Sequence, residues 1–261
     1  MKPRRWSWAA ARSIGTSHIK AGKGCEDFGA CLEITGSSDT VLVAVASDGA
    51  GSACHSRIGS WITTRVFVQS AATYVKDGRD LKLFSSEIAQ EWLDEIRDRI
   101  GAAASRIGAK PRDFAATLVG CLIGIECSVF IHVGDGAFVF RTEGEVNWNL
   151  PTWPAQGEYA ATTFFVTDEP EVRLQFASLC QPIEELAVFS DGIERLALQF
   201  STKTAFSPFF DKVFMPLRRS TVGKNRSLSR DLKSFLDSPS VCERTDDDKT
   251  LLLATRQLEA L

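Results

Sequence analysis

The sequence predicts an α+β fold in which β-sheets pack in the middle of the molecule and helices lie outside. Two observations support this prediction. Strand-like segments outnumber helical ones, and the helical segments are grouped rather than alternating regularly with the strands. Regular alternation would be typical of a doubly wound parallel sheet, which the pattern therefore argues against. With 261 residues, 44% of them hydrophobic, the chain can bury a sizeable core.

Eight segments have the β-branched or alternating apolar composition of strands. The longest apolar stretch, from Phe114 to Val133, is about a bilayer long, but Glu126 lies inside it. Because a carboxylate in mid-membrane costs roughly 2.5–3.5 kcal/mol, two strands joined near Glu126 explain the stretch better than a membrane span. The predicted strands are Trp6–Ala10, Val41–Ser47, Ala115–Ile125, Val129–Val133, Ala137–Arg141, Thr162–Thr167, Leu186–Ser190 and Thr250–Thr255.

Two amphipathic helices are predicted between the second and third of these strands. One begins near Ala53 and places Ile58, Ile62 and Val66 four residues apart, so its apolar stripe should face the core. The other covers Ser86–Ile107, and a further helical region is predicted within parts of Ile193–Lys212 and Leu228–Leu236.

No internal repeat, low-complexity tract or flexible linker divides the chain, so we expect a single domain over residues 1–261. The segment Phe200–Cys242 is basic in places and rich in serine. Two interpretations of it stay open: a substrate-recognition flap, or a helical insertion whose polar face is simply solvated.

The charge balance excludes several classes of function. Lys and Arg total 30 and Asp and Glu total 33, a formal net charge of −3, which gives no electrostatic footprint for nucleic acid or an anionic membrane. The seven cysteines are odd in number and include no C-x-x-C pair, which argues against a disulfide framework. The N-terminus lacks the apolar core of a signal peptide. We therefore expect a cytoplasmic protein with no nucleic-acid or membrane partner.

Aspartates stand where three predicted strands end and where a fourth begins. Asp48, Asp135 and Asp191 each follow a strand and precede a glycine, and Asp247 lies just before Thr250–Thr255. If neighbouring strands alternate in direction, these positions share one edge and the carboxylates could converge. A single Asp-Gly pair is more often a turn, because both residues tolerate positive φ. Three such pairs, with Asp-Asp-Lys-Thr at 247–250, argue against coincidence.

Converging carboxylates repel one another unless a cation lies between them. Mg²⁺ and Mn²⁺ prefer oxygen ligands of this kind. A pair of such ions can activate a water and stabilise both oxygens of a phosphoryl displacement. The pattern therefore indicates a divalent-cation site suited to phosphate chemistry.

Six short motifs follow one another along the chain: Gly24-Cys25-Glu26-Asp27, Ala46–Gly51, Ala116-Thr117-Leu118, Val133–Gly136, Phe189–Ile193 and Asp247–Thr250. In this order and rough spacing they resemble the motifs of the metal-dependent protein Ser/Thr phosphatases of type 2C. Gly15–His18 and Gly157–Ala160 are similar to a bacterial subgroup of that family. The resemblance covers nearly the whole chain and implies a central sandwich of two mainly antiparallel sheets flanked by helices.

The resemblance also implies an activity: hydrolysis of phosphoserine and phosphothreonine on proteins by a metal-activated water at a binuclear Mg²⁺ or Mn²⁺ centre. The partners would be a phosphorylated protein and a cognate Ser/Thr kinase pathway. Three aspartates would act through that water, with Asp48 bridging the two ions and Asp191 and Asp247 completing the ligands of the first. The remaining implied ligands are the Gly49 carbonyl on the second ion, Glu26 and Asp27 holding its waters, and Asp135 with Asp191 at a weaker third ion.

Two positions depart from the family's pattern. Many members carry an arginine five residues before the first-motif aspartate to hold the substrate phosphate, and Gly22 stands there. Eukaryotic members carry a histidine two residues after the bridging aspartate, and Ala50 stands there, as bacterial relatives commonly lack it. Lys20, Lys23 or His18 are the candidates for the substrate phosphate. Each is equally explained as a solvated surface residue, and Lys lacks the bidentate fork of Arg.

The alternative function is a pseudophosphatase, a module that binds phosphoprotein or a partner without turnover. The missing arginine favours it. The retained Asp48, Asp191 and Asp247 oppose it, because a non-catalytic module has no need of converging charges. A purely structural sandwich would leave the motif at 247–250 unexplained.

Overall fold

The computed structural model describes residues 4–37, 40–155 and 163–258. Within these residues, two five-stranded sheets lie face to face and helices cover their outer faces. The strands are β1 (Arg4–Ser13), β2 (Phe28–Thr35), β3 (Thr40–Ser47), β4 (Leu118–Ile123), β5 (Ser128–Val133), β6 (Ala137–Thr142), β7 (Gln175–Leu179), β8 (Ile183–Phe189), β9 (Leu198–Gln199), β10 (Thr204–Ala205), β11 (Gly223–Lys224) and β12 (Lys249–Leu258). The helices are α1 (Thr16–Lys20), α2 (Ser56–Lys76), α3 (Ser86–Ile107), α4 (Glu194–Ala197), α5 (Ser207–Arg218), α6 (Arg226–Leu236) and α7 (Pro239–Cys242).

The first sheet has the strand order β11-β1-β12-β8-β6 and the second has the order β2-β3-β4-β5-β7. Every pairing in them is antiparallel except the short parallel pairing of β11 with β1. The predicted sandwich of two mainly antiparallel sheets flanked by helices is confirmed.

Strand β3 shows how the apolar pattern builds this sandwich. Side chains alternate between the two faces of a strand, so Val43 and Val45 face the helical layer of α2 and α3. Leu42 and Ala44 face the other sheet. Because both faces are buried, the strand is apolar throughout, and this is why the sequence pattern detected it.

Each outer face is covered by its own helices. Phe67 of α2 and Trp92 of α3 meet edge to face, with ring centroids 5.7 Å apart, over the second sheet. Phe210 and Phe214 of α5 pack on the first sheet with Leu232 of α6. The segment Phe200–Cys242 therefore contributes helices to the outer layer of the first sheet.

Two edge strands, β2 and β7, escaped the sequence prediction. Their side chains are mostly only partly buried, because an edge strand covers the core less completely than a central one. Neither contains a run of β-branched residues like that of β3, on which the prediction partly depended.

The predicted strand Thr162–Thr167 is wrong over the residues that the structure describes, which exclude Thr162. Residues 163–167 form no continuous strand, and 166–167 are a turn. The backbone N–H of Phe165 donates to the Asp168 carboxylate over 2.8 Å. The Arg97 guanidinium donates to the carbonyls of Val166 and Asp168 over 3.1 and 2.9 Å. These bonds satisfy the backbone groups that a strand would pair.

Helix α3 has the predicted bounds, and Gly108 ends it in the left-handed conformation at φ +70°. Helix α2 begins three residues later than predicted, at Ser56, because a turn closed by the Ala53 N–H and the Ala50 carbonyl comes first. Ile62 and Val66 are buried as expected, but Ile58 is 44% exposed. The buried side of that first turn is formed by Ser56, Gly59 and Ser60 instead. Among the described helices, none has both the length and the apolar composition needed to cross a membrane.

Candidate metal centre

The strand ends that carry aspartates share one edge of the sandwich. Strands β3 and β5 both pair antiparallel with β4, so they run in the same direction and end together. In the first sheet β8 pairs antiparallel with β12, which places Phe189 opposite Leu251. The end of β8 therefore meets the start of β12, as the sequence predicted.

Three carboxylates converge at this edge. One oxygen from each of Asp48, Asp135 and Asp191 lies within 4.8 Å of the other two, and all three side chains are partly exposed. Oδ1 of Asp135 and Oδ1 of Asp191 are buried atoms without a hydrogen-bond partner. Unpaired buried carboxylate oxygens at this spacing suit a hard divalent cation, which takes oxygen ligands.

The small-Thr-apolar motif holds the loop that carries Asp48. The Thr117 hydroxyl accepts a hydrogen bond from the Asp48 N–H over 2.9 Å, and the Thr117 N–H donates to the Asp48 carbonyl over 2.8 Å. The Ser47 hydroxyl donates to the Thr117 carbonyl over 2.5 Å. Gly49 follows with its Cα against the backbone of Ser56 and Glu26, where a Cβ would come within 2.9 Å of both.

Asp27 lies behind the three converging carboxylates, fully buried. Its Oδ2 accepts hydrogen bonds from the hydroxyls of Ser190, over 2.7 Å, and Thr250, over 2.8 Å. Burial raises the pKa of Asp27 to about 6, and the neighbouring Asp48 carboxyl and the hydrogen bonds from Ser190 and Thr250 limit the rise. Asp27 thus joins the first motif to the last two, and its Oδ1 stays unpartnered.

Asp248 is a residue whose contribution the sequence reasoning missed. Its Oδ1 accepts the Gly15 N–H over 2.6 Å. Its Oδ2 accepts the Glu26 N–H over 2.5 Å and lies 2.9 Å from Nδ1 of His18. It is 1% exposed, so it holds the first motif and α1 in place. The acidic run at 246–248 was the available signal.

Glu26 lies between two of the predicted phosphate-binding residues. Its Oε2 is 3.7 Å from Nε2 of His18, and its Oε1 is 3.6 Å from Nζ of Lys23. Lys23 also donates to the Gly51 carbonyl over 3.0 Å, which places its ammonium beside the loop that follows Asp48. Lys20 is exposed on α1.

The electrostatic potential at this edge of the sandwich is strongly negative. Burial, followed by the charges of Asp191 and Asp27, raises the pKa of Asp48 well above its ordinary value. Burial, followed by Asp135 and Asp247, raises the pKa of Asp191 well above its own. Asp247 lies outside the three converging oxygens and accepts the Asp248 N–H over 2.7 Å. A bound cation would offset this repulsion.

Two further residues at the edge were not predicted. Glu194 is 8% exposed and accepts the Gly136 N–H over 3.2 Å. Burial, followed by the charge of Asp135, raises its pKa to about 7. Arg57, on the first turn of α2, brings its Nη1 to 3.1 Å from the position a Cβ on Gly24 would occupy. A basic residue in the helix directly after the Asp48 loop was the signal for Arg57.

Known proteins resemble this chain over nearly its whole length. A family model described as Protein phosphatase 2C matches residues 14–237. Serine/threonine-protein phosphatase 3 of Escherichia coli (strain K12) is 36% identical over 256 residues, which are 95% of this chain and 98% of that protein.

Solved structures share the fold at lower identity. PppA, described as a key regulatory component of T6SS in Pseudomonas aeruginosa, is 15% identical, with a TM-score of 0.63 over 97% of this chain and 98% of its own. RsbX in complex with magnesium is 13% identical, with a TM-score of 0.56 over 98% of this chain and 100% of its own. The family match and the 36% identity show that the chain belongs to the protein phosphatase 2C family and is a protein serine/threonine phosphatase.

Proposed function

We propose that this phosphatase hydrolyses phosphoserine and phosphothreonine at a binuclear Mg²⁺ or Mn²⁺ centre, with a third, weaker ion. The observation that carries the proposal is the convergence of Asp48, Asp135 and Asp191 with buried oxygens that have no protein donor. Magnesium is supported by the likeness to RsbX, whose structure is described as a complex with that ion.

The residues present fit such a centre. Asp48, Asp191 and Asp247 would hold the first ion, and Asp48 with the Gly49 carbonyl the second. Asp135 and Asp191 would hold the third. Glu26 and Asp27 would hold the waters of the second ion, each through an oxygen that has no hydrogen-bond partner.

When bound, the ions would supply positive charge that activates a water and stabilises the phosphoryl oxygens. The protein itself orients the carboxylates and leaves certain of their oxygens without hydrogen-bond donors, so that these oxygens can face the ions. Thr117 fixes the loop of Asp48, and the Thr163 hydroxyl donates to Asp135 over 2.5 Å. Ser190 occupies Oδ2 of Asp27, which leaves Oδ1 as its one open oxygen.

We propose that Lys23 and Arg57 meet the substrate phosphate in place of the missing arginine. Lys23 lies beside the Asp48 loop, and Arg57 packs across Gly24 with an exposed side chain. Arg57 brings the planar fork that suits phosphate. His18 is engaged by Asp248, and we assign it to positioning rather than to substrate. We assign Lys20, which is exposed, no direct contact with the phosphate.

The biological partners belong to the proposal too. Phosphoproteins are the substrate class of a Ser/Thr phosphatase, and we propose a cognate Ser/Thr kinase pathway and a cytoplasmic site of action. The pseudophosphatase alternative is not favoured, because the chain keeps the converging aspartates and matches a phosphatase along nearly its whole length.

Hydrolysis of p-nitrophenyl phosphate and of a phosphothreonine peptide, each with Mn²⁺, Mg²⁺ or EDTA, tests the mechanism. We expect turnover with either ion and none with EDTA. Asp191→Asn should abolish it, because the variant lacks one of the carboxylate charges that face the cation. Asp246→Asn is the matched control, since Asp246 is an exposed neighbour of the same acidic run.

Full activity in EDTA would overturn the metal mechanism and leave the family assignment intact. Activity of Asp191→Asn equal to that of Asp246→Asn would overturn the proposed ligand set instead.

A further inference from the structure

Two cysteines lie at the end of the second sheet that is opposite the carboxylate-bearing end. Cys127 directly precedes β5, and Cys180 directly follows β7. Their Sγ atoms are 3.0 Å apart, about 1 Å more than a disulfide bond of ~2.05 Å. All seven cysteines belong to the described part of the chain, and no other pair there brings its sulfurs into such contact.

The strand register suits a covalent link at this position. Ser128 pairs with Leu179 in the antiparallel ladder of β5 and β7, so the next pair outward is Cys127 with Cys180. Opposite residues in such a ladder have Cα atoms about 4.5–5.5 Å apart. Disulfides span about 4.4–6.8 Å between Cα atoms. The link therefore needs side-chain rotation and no movement of the backbone.

The two thiols differ in their access to solvent. Cys180 is exposed, whereas Cys127 is 5% exposed. Burial, followed by the neighbouring Cys180 sulfur, raises the pKa of Cys127 to about 11. A reagent in solution therefore meets Cys180 first, and Cys127 can react only with the sulfur beside it.

We propose that Cys127 and Cys180 are a modification site. The two residues form a reversible cross-strand disulfide with each other, by exchange with a low-molecular-weight disulfide such as oxidised glutathione. The Cys180 thiolate attacks one sulfur of the reagent and expels one glutathione thiolate, which takes up a proton. Cys127 then loses its proton to solvent and attacks the Cys180 sulfur, expelling the second glutathione. The two protein thiols are oxidised, and one glutathione disulfide is reduced to two thiols.

The bond would fasten the edge of the second sheet. Among the described strands, β7 pairs only with β5, so within the described residues its far side has no strand partner. The link closes the chain around residues 128–179, which include Asp135 and Thr163. A closed loop restricts the unfolded chain, and the bond lies at the end of the strands away from the metal centre. We therefore expect greater stability with phosphatase activity retained.

The test is incubation of the folded protein with oxidised glutathione at pH 8, followed by thiol counting, peptide mass mapping without reductant and thermal melting. We expect the thiols of Cys127 and Cys180 to be lost, a peptide pair joined through these two residues, and a melting temperature higher by roughly 5 °C. Dithiothreitol should reverse all three changes.

Cys180→Ser should abolish the joined peptide and the thermal shift, and its exposed position keeps the fold intact. Cys54→Ser is the matched control, because Cys54 is another exposed cysteine, and it should leave both readouts unchanged. Persistence of a glutathione adduct on Cys180 without the joined peptide would overturn the proposal. A joined peptide in the wild type with no rise in melting temperature would overturn the stabilising role.

Discussion

Two groups of acidic residues in this protein have different partners. The cation-facing group, Asp48, Asp135 and Asp191, brings oxygens within 4.8 Å of one another, and two of its buried oxygens have no donor. The protein-bound group, Asp27 and Asp248, accepts hydrogen bonds from hydroxyls, backbone N–H groups and a histidine.

One acidic cluster therefore serves both structure and chemistry. A buried carboxylate is stabilised by donors or by a cation. The protein-bound group has its donors within the chain, so its main effect should be on folding. In the cation-facing group, Oδ1 of Asp135 and Oδ1 of Asp191 have no donor, so the main effect of this group should be on metal binding and turnover.

The largest expected effect is on the cation-facing group. Asp48→Asn should lower kcat/KM by at least roughly a hundredfold, because it removes a charge aimed at the cation. Its melting temperature in EDTA should equal or exceed that of the wild type, because one repelling charge is gone. An activity loss accompanied by a large loss of stability in EDTA would break the distinction between the groups.

The next effect concerns the protein-bound group. Asp248→Ala should lower the free energy of unfolding by roughly 3 kcal/mol in EDTA, because the N–H groups of Gly15 and Glu26 lose a charged acceptor. Urea denaturation measures this, with Asp246→Ala as the exposed control. Equal midpoints for the two variants would contradict the structural role of Asp248.

Glu194 should make the stability of the metal-free protein depend on pH. Its folded pKa of about 7 lies above the ordinary value of 4.5, so the folded protein binds its proton more tightly than the unfolded chain does. This residue therefore lowers stability as pH rises from about 4.5 to 7, and the loss is complete above that range. Glu194→Gln should stabilise the metal-free protein by on the order of 2 kcal/mol at pH 8 and hardly at all at pH 4.5. The same gain at both pH values would show that charge is not the cause.

The smallest expected effect is on substrate binding. Arg57→Ala should raise KM for a phosphopeptide roughly fivefold, or about 1 kcal/mol, with kcat little changed, since an exposed cation contributes modestly. The KM of Arg57→Lys should fall between those of the wild type and Arg57→Ala. Arg65→Ala, two turns further along α2 and also exposed, is the control. An Arg57→Ala variant with unchanged KM would remove Arg57 from the proposal.

Sequence patterns located the cation-facing group, and they did not reveal the role of Asp248 in the protein-bound group. Asp48, Asp135 and Asp191 each follow a strand that is largely apolar and almost entirely buried, and such strands are detected by local composition. Antiparallel pairing then brings those ends together. Asp248 depends on contacts with Gly15 and Glu26, more than two hundred residues away in the chain.

The same contrast explains the errors in the fold. The predicted bounds of helix α3, from about Ser86 to Ile107, agree with the structure because its apolar stripe is a local signal. Edge strand β7 and the turn near Val166 depend on what packs beside them, including Arg97 from α3. Local composition does not contain that information.

Thermal melting of wild type and Asp191→Asn, each in EDTA and in excess Mn²⁺, tests the cation-facing group most directly. Mn²⁺ should raise the melting temperature of the wild type by roughly 5–10 °C, since a ligand that binds only the folded state stabilises it. Asp191→Asn should melt in EDTA at least as high as the wild type and respond little to Mn²⁺. A wild type whose melting temperature is the same in EDTA and in Mn²⁺ would show that the cation-facing group does not bind this ion.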